Sequence, residues 1–175
     1  YLVGHRTDVG QERSLNEDSL LTLAIEPVYR SICAPVGLFV VADGMGGHDA
    51  GDVASRTAVS TIAQRTVHDV MRPASSGDPL PNAGEWLTQV TQAASRAVHD
   101  RRVAGGSDMG TTLVMALNIG DGATISNVGD SRAYVLGPDG IEQITTDHSL
   151  VERLVATGQI TPQEAANHPK KNVIY

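Results

Sequence analysis

Continuous apolar runs alternate along the chain with segments whose apolar residues recur at helical spacing, and this order predicts the secondary-structure elements. Residues 19–25 and 37–42 are runs of apolar and β-branched residues, which predict strands. Small and apolar residues then recur at helical spacing over residues 49–70 and again over 87–98, which predicts two long helices. The intervening residues 73–84 are rich in proline, glycine and serine and predict a loop.

The second half of the chain has the pattern of short strands separated by turns. The β-type runs are residues 111–118, 123–128, 131–136 and 141–145. Their connections contain Asp-Gly, Gly-Asp and Pro-Asp-Gly, so we expect antiparallel neighbours. Helical patterning returns after residue 149, and Thr161-Pro162-Gln163-Glu164 is typical of a helix start. Strands, two long helices and further strands predict an α+β fold, with helices packed on sheet faces.

Composition places the chain among globular proteins and excludes several partners. With 175 residues, of which 41% are hydrophobic, the chain is long enough for one domain with a proper core. With a net charge of -7 and no basic run, the chain lacks the positively charged surface that binds nucleic acid. No apolar stretch reaches the length of a membrane span. The first residues also lack the basic-then-apolar profile of a secretion signal, and the single cysteine fits a reducing compartment, so we predict a cytoplasmic protein.

An acidic residue and a cluster of glycines follow the second predicted strand. The segment is Val40-Val41-Ala42-Asp43-Gly44-Met45-Gly46-Gly47-His48. Because glycine weakens regular elements, three glycines within four positions indicate a tight turn or a close approach to a ligand rather than packing. Carboxylate and carbonyl oxygens suit Mg²⁺ and Mn²⁺, so one interpretation is a metal site at Asp43. The other is a strand-to-helix turn in which Asp43 caps the helix.

A polar segment rich in charged groups precedes the first predicted strand. Residues 4–18 end in Glu17 and Asp18, directly before the strand that begins at residue 19. If this strand pairs antiparallel with the strand that leads to Asp43, the start of one lies beside the end of the other. We therefore expect the acidic residues to meet at one end of the sheet.

Taken together, four segments resemble the metal-dependent protein phosphatases of the protein phosphatase 2C family, bacterial type. The segments are Arg13-x-x-Asn16-Glu17-Asp18, Val41-Ala42-Asp43-Gly44-Met45-Gly46-Gly47-His48, Met109-Gly110-Thr111-Thr112 and Asn127-Val128-Gly129-Asp130-Ser131-Arg132-Ala133-Tyr134. The resemblance implies an antiparallel β-sandwich flanked by helices, with a two-metal site at one end of the sheets. It also implies hydrolysis of phosphoserine and phosphothreonine in phosphorylated proteins, the substrates of bacterial serine/threonine kinases.

Carried over by position, the resemblance assigns metal ligands to acidic and main-chain groups. Asp43 would bridge two Mn²⁺ or Mg²⁺ ions, and the carbonyl of Gly44 would bind the second ion. Glu17 and Asp18 would hold metal-bound waters. Asp130 matches a carboxylate that bacterial members use for a third, weaker metal.

The resemblance also implies how the phosphate is bound and attacked. Arg13 would grip the substrate phosphate, and His48 is a candidate for substrate contact. A phosphate monoester dianion repels hydroxide, so catalysis needs concentrated positive charge, and two divalent ions lower the pKa of a bridging water. The planar guanidinium of Arg13 suits bidentate phosphate capture. Thr111 and Thr112 are interpreted as strand structure, not as nucleophiles.

The chain departs from the family pattern near its C-terminal end. Complete members carry two further metal-binding aspartates downstream, one in a Ser-Asp-Gly turn and one in an Asp-Asn pair, whereas this chain holds no Asp-Asn dipeptide. We therefore expect residues 1–175 to be the N-terminal portion of a single catalytic domain. Residues 146–175 would begin its helical or flap region.

Two other functions remain open on the sequence. One is a catalytically incompetent phosphatase-like module that binds phosphoprotein or a regulatory partner, which the missing downstream aspartates favour. The other is a metal-dependent hydrolase of small phosphate esters, because nothing in the sequence encodes substrate size.

Overall fold

The computed structural model describes residues 2–11, 13–29, 32–33, 35–47 and 50–175. The chain divides into two compact units, Tyr1–Ser126 and Asn127–Tyr175. Among the residues described, no helix has both the length and the apolar composition needed to cross a bilayer.

The first unit is built on an antiparallel sheet. Its strands are β1 (Asp18–Ile25), β2 (Val28–Tyr29), β3 (Ile32–Cys33), β4 (Val36–Gly46), β5 (Met109–Thr111), β6 (Leu113–Ile119) and all but the last two residues of β7 (Gly122–Val128). The main sheet has the order β1-β4-β6-β7, β5 pairs with the end of β4, and β2 and β3 form a small hairpin. Strand β4 is central, because it pairs with β1 on one side and with β5 and β6 on the other.

Strand β4 runs past the residue at which the sequence predicts its end. The predicted strand stops at residue 42, whereas the observed strand continues through Asp43 to Gly46. Strand β5 supplies the reason, since Gly44 pairs with Thr111 across the ladder. The interpretation of this segment as a tight turn is therefore wrong. The interpretation of Asp43 as a helix cap is also wrong, because the next helix begins only at Ala50.

The helices of the first unit differ in length from those that the sequence predicts, with α1 shorter and α3 longer. They are α1 (Ala50–Thr66), α2 (Arg72–Ser76) and α3 (Ala83–Gly105), and a π-helical turn over Val67–Met71 joins α1 to α2. The predicted loop over residues 73–84 is wrong at its start, because Pro73 lies in the first turn of α2. Proline is tolerated there, since first-turn amides need no intrahelical acceptor. Asn82 caps α3 by accepting the Glu85 N–H at 3.1 Å.

Asp69 links the end of α1 to α3. The indole N–H of Trp86 donates to Asp69 Oδ2 at 3.2 Å, and Arg65 Nε donates to the same oxygen at 2.9 Å. Burial acts to raise the pKa of Asp69, yet hydrogen bonds from His68 and Trp86 and the interaction with Arg65 together lower it. The ionised carboxylate therefore stabilises the junction between the two helices.

The hydrophobic core lies between one face of the main sheet and the helices. Alternate residues of β4 are buried in it, namely Val36, Leu38, Val40 and Ala42. Their partners on β6, α1 and α3 are Leu113, Met115, Leu117, Ala58, Ile62, Trp86, Leu87, Val90 and Ala94. Full burial of one large aliphatic side chain contributes roughly 1.5–3 kcal/mol. The predicted α+β class, with an antiparallel sheet flanked by helices, is confirmed.

The second unit contains a hairpin and two short helices. These elements are β8 (Tyr134–Gly137), β9 (Gly140–Gln143), α4 (Leu150–Ala156) and α5 (Pro162–Ala166). Strands β8 and β9 pair antiparallel, as predicted, but in a two-stranded sheet of their own, so the expectation of antiparallel neighbours is wrong for β7 and β8. The predicted helix start is confirmed, since Thr161 and Glu164 form a capping box.

Candidate functional site

Two carboxylates lie opposite each other at one end of the main sheet. The antiparallel register of β1 and β4 pairs Asp18 directly with Asp43. Both residues are exposed, although the strands that carry them are anchored in the core. The predicted meeting of the acidic residues at one sheet end is confirmed.

The main chain of Asp43 forms hydrogen bonds with two threonines, one at the end of β5 and the other directly after it. The Asp43 N–H donates to the hydroxyl of Thr112 at 3.1 Å, and the Thr112 N–H donates to the Asp43 carbonyl at 2.9 Å. The Thr111 hydroxyl donates to the same carbonyl at 3.0 Å. This agrees with the interpretation of both threonines as structural residues. Their hydroxyls, however, bond to the central site residue, which the sequence alone does not indicate.

The segment before Asp18 is held by the first turns of helix α1. Ser55, which is fully buried, donates to the Glu17 carbonyl at 2.6 Å, and its hydroxyl lies 2.9 Å from that of Ser19. The Gly44 N–H donates to the same Glu17 carbonyl at 3.2 Å. Ser55 lies among small and apolar residues of a helical stripe, so no sequence signal distinguishes it as a site residue.

Gly44 has a packing role that contradicts the expectation from the sequence. A Cβ atom on Gly44 would lie less than 3.0 Å from main-chain atoms of Gly51 and Glu17. A Cβ atom on Gly51 would in turn lie 2.8 Å from Cδ of Glu17 and 2.9 Å from the main-chain carbon of Gly44. The absence of side chains lets α1 approach the end of the sheet closely. The expectation that these glycines are not needed for packing is therefore wrong for Gly44.

Arg13 and Glu17 form an ion pair beside the two aspartates. Arg13 Nη1 donates to Glu17 Oε2, and the Arg13 side chain is 63% exposed while that of Glu17 is 12% exposed. Asn16 orders the same loop, because its side-chain oxygen accepts the Asp18 N–H at 3.0 Å and its amide donates to Thr7 at 2.6 Å. The guanidinium predicted to bind phosphate is thus paired with Glu17 while most of the Arg13 side chain is open to solvent.

The donor set at this sheet end consists of hard oxygen atoms. Asp18 and Asp43 contribute carboxylates, which are a ligand type that Mg²⁺ and Mn²⁺ prefer. The described residues do not include any group of three or more His, Cys, Asp or Glu side chains arranged around a metal position. Two carboxylates are fewer than the ligands that a divalent ion takes, so this pair could form only part of a ligand set. His48, the predicted substrate contact, lies outside the described residues.

Asp130 lies in a turn of the second unit that is held from both sides. The Gly129 N–H donates to His148 Nδ1 at 3.3 Å, and the His148 N–H donates to the Gly129 carbonyl at 2.9 Å. The Asn127 side chain donates to the Thr146 carbonyl at 3.1 Å. These bonds assign His148 an orienting role in the loop and place Asp130 on a constrained turn.

A partly buried ion pair near this turn is not indicated by the sequence. Arg132 donates to both carboxylate oxygens of Asp147, with Nε–Oδ1 at 2.9 Å and Nη2–Oδ2 at 2.6 Å. The hydrogen bonds to Asp147 raise the pKa of Arg132 above its ordinary value. The two residues border a groove of about 770 Å³ in the second unit. The lining residues are Asp130, Arg132, Asp147, Ser149, Val151, Glu152, Val155, Pro162, Ala165, Ala166, Lys171 and Asn172.

These features define an α+β protein with an acidic oxygen-donor site at the end of an antiparallel sheet. A family model described as Protein phosphatase 2C matches residues 14–172. The serine/threonine phosphatase stp of Listeria innocua is 37% identical over 171 residues, which are 97% of this chain and 63% of that protein. The chain therefore belongs to the protein phosphatase 2C family.

Solved structures of phosphatases share the fold. The Mycobacterium tuberculosis serine/threonine phosphatase PstP/Ppp superposes with a TM-score of 0.77 at 32% identity, over 97% of this chain and 64% of that one. The catalytic domain of PstP in complex with two manganese ions superposes with a TM-score of 0.62 at 30% identity, over 85% of this chain and 64% of that one. The chain thus spans less than two thirds of the length of these relatives.

Proposed function

We propose that this chain is part of a metal-dependent protein serine/threonine phosphatase, which hydrolyses phosphoserine and phosphothreonine through a metal-activated water. The observation that carries the proposal is the register of β1 and β4, which sets Asp18 against Asp43 at an exposed sheet end. Membership of the protein phosphatase 2C family and the phosphatase names of the relatives support it.

In this proposal the acidic residues hold the cations and Arg13 holds the substrate. Asp43 would be the central ligand of the cations, and the Gly44 carbonyl, Glu17 and Asp18 would hold them directly or through water. Bound divalent ions would supply an activated water and balance the charge of the phosphate. The half-exposed guanidinium of Arg13 has donors that can bind phosphate oxygens in place of the Glu17 carboxylate.

The identity and number of the ions are part of the proposal. We expect Mn²⁺ or Mg²⁺ at the Asp18–Asp43 pair, and the two manganese ions in the complex of the PstP catalytic domain support Mn²⁺. Asp130 is proposed to hold a third, weaker ion, and His48 is proposed to contact the substrate. The substrates would be proteins phosphorylated by bacterial serine/threonine kinases. The cytoplasmic location stays a prediction from the sequence.

Release of phosphate from a phosphothreonine peptide in the presence of Mn²⁺ tests the proposal in the intact protein. We expect Asp43→Asn to lower kcat by about 10³-fold or more, because the charge that binds the cations is lost while the shape is kept. Asp121→Asn is the matched control, since Asp121 is an exposed aspartate in the turn between β6 and β7. Its activity should equal that of the wild type.

The outcomes separate the competing functions. Phosphopeptide binding without turnover in the wild type would favour a catalytically incompetent binding module. Turnover of small phosphate esters with none of phosphopeptides would favour a small-ester hydrolase. Equal activities of Asp43→Asn and the wild type would contradict a metal-bridging role for Asp43.

A further inference from the structure

Strands β5 and β6 continue one another opposite β4, with a single irregular residue between them. Val41 pairs with Val114 on one side of the irregularity and Gly44 pairs with Thr111 on the other, so the register does not slip. Thr112 is the residue between the two strands, and it therefore lies opposite Asp43. The irregularity falls beside the residue on which the proposed metal site depends.

Opposite Asp43, a side-chain hydroxyl accepts a hydrogen bond that a main-chain carbonyl accepts in a regular ladder. At the hydrogen-bonded positions of a regular antiparallel pair, which are every second one, two facing residues exchange both N–H to carbonyl hydrogen bonds. Here the Thr112 N–H donates to the Asp43 carbonyl at 2.9 Å, but the Asp43 N–H donates to the Thr112 hydroxyl at 3.1 Å. The Thr111 hydroxyl lies 3.0 Å from the Asp43 carbonyl and 2.9 Å from the Thr112 carbonyl, so its one hydrogen is shared between these two acceptors. The two hydroxyls thus stabilise the departure from the regular ladder.

We propose that Thr112 is a positioning residue, whose hydroxyl orients the Asp43 main chain so that the carboxylate binds a divalent cation together with Asp18. The inference rests on the proposed function, because the orientation matters for activity only if the pair binds a cation. Thr112 is only 3% exposed, so its hydroxyl is shielded from water and acts through Asp43 rather than on the substrate. Residues that orient metal ligands typically change metal affinity by about 10- to 100-fold when they are mutated.

Two substitutions at position 112 separate the hydroxyl from the shape of the side chain. Thr112→Val keeps the shape and removes the acceptor, whereas Thr112→Ser keeps the hydroxyl. In the intact protein we expect Thr112→Val to weaken Mn²⁺ binding, measured by isothermal titration calorimetry, by about 10- to 100-fold. Thr112→Ser should restore most of the affinity. If Thr112→Val does not fold, Thr112→Ala removes the same acceptor without adding a buried methyl group.

Thr66→Val is the control for loss of a buried hydroxyl elsewhere in the fold. Thr66 is fully buried at the end of α1, and its hydroxyl donates to the Ile62 carbonyl at 2.6 Å. This variant should lower the melting temperature of the metal-free protein but leave the Mn²⁺ affinity unchanged. In Thr112→Val, half-saturation of activity should shift to higher Mn²⁺ concentration, with little change in the KM for phosphopeptide.

The results distinguish failure of this inference from failure of the proposed function. If the wild type binds Mn²⁺ and hydrolyses phosphopeptide, but Thr112→Val binds Mn²⁺ as tightly, Thr112 is not a positioning residue. The same conclusion follows if Thr112→Ser binds Mn²⁺ as weakly as Thr112→Val. If the wild type neither binds Mn²⁺ nor hydrolyses phosphopeptide, the proposed function is overturned and this inference with it.

Discussion

Replacement of Gly44 by alanine is expected to destabilise the protein even when no metal is present. The added Cβ atom would lie less than 3.0 Å from main-chain atoms of Gly51 and Glu17, so either helix α1 or the loop before β1 must move. Overpacking of this kind costs about 1–3 kcal/mol. Displacement also weakens the bond from the Gly44 N–H to the Glu17 carbonyl, which contributes about 1 kcal/mol. The expected loss is therefore about 2–4 kcal/mol.

Thermal unfolding of the intact, metal-free protein measures this loss. A destabilisation of about 1 kcal/mol lowers the melting temperature by about 2–4 °C in a domain of this size, so the Gly44→Ala variant should melt about 5–15 °C below the wild type. Gly47→Ala is the matched control from the same segment, since a Cβ atom there has nothing within 4 Å. If the two variants melted at the same temperature, the steric role of Gly44 would be refuted, and the glycine would be needed only for approach to a ligand.

Two further predictions concern charged groups away from the carboxylate pair. Asp69→Asn should lower the stability by about 1–2 kcal/mol at neutral pH, because it removes a charged acceptor of the Trp86 indole. Folding lowers the pKa of Asp69, so the difference in stability between the wild type and Asp69→Asn should be fully present above the ordinary pKa of aspartate. It should disappear as the pH falls through the lower pKa of the folded protein. Urea titrations over this pH range measure the difference, and a value that stays constant down to acidic pH would contradict the prediction. Asp147→Ala should destabilise the second unit by about 2–3 kcal/mol, because the Arg132 guanidinium loses a bidentate partner that is 9% exposed. Hydrogen exchange over residues 127–149 measures this loss of stability. Asp139→Ala is the control, since Asp139 lies in the exposed hairpin turn, and an equal effect of this variant would contradict the role of the ion pair.

The arrangement of the site connects stability to the proposed chemistry. The Glu17 carbonyl accepts hydrogen bonds from both Ser55 and Gly44, so the loop that carries the acidic residues is joined to helix α1 and to strand β4 at one atom. Rigid support of this kind limits the freedom of the carboxylates before a cation binds. Mutations in the core face of α1 should therefore affect metal affinity as well as stability.

Local patterns in the sequence were sufficient for the fold class and for the pairing of Asp18 with Asp43. The apolar, β-branched runs mark the strands, and an antiparallel pair necessarily brings the start of one strand beside the end of the other. The capping box at Thr161 was also predictable, because all its bonds lie within one turn of the chain.

Contacts between residues distant in the sequence determined the rest. Glycine disfavours strands, yet β4 continues through Gly44 because β5 pairs with it, and Thr111 of β5 lies far along the chain. The bond from Asp43 to Thr112 spans 69 positions, and the bond from Ser55 to Glu17 spans 38. Local propensity contains no information about such pairs. The sequence thus determined which side chains could bind a cation, and only the tertiary structure decided which hydroxyls and glycines hold them in place.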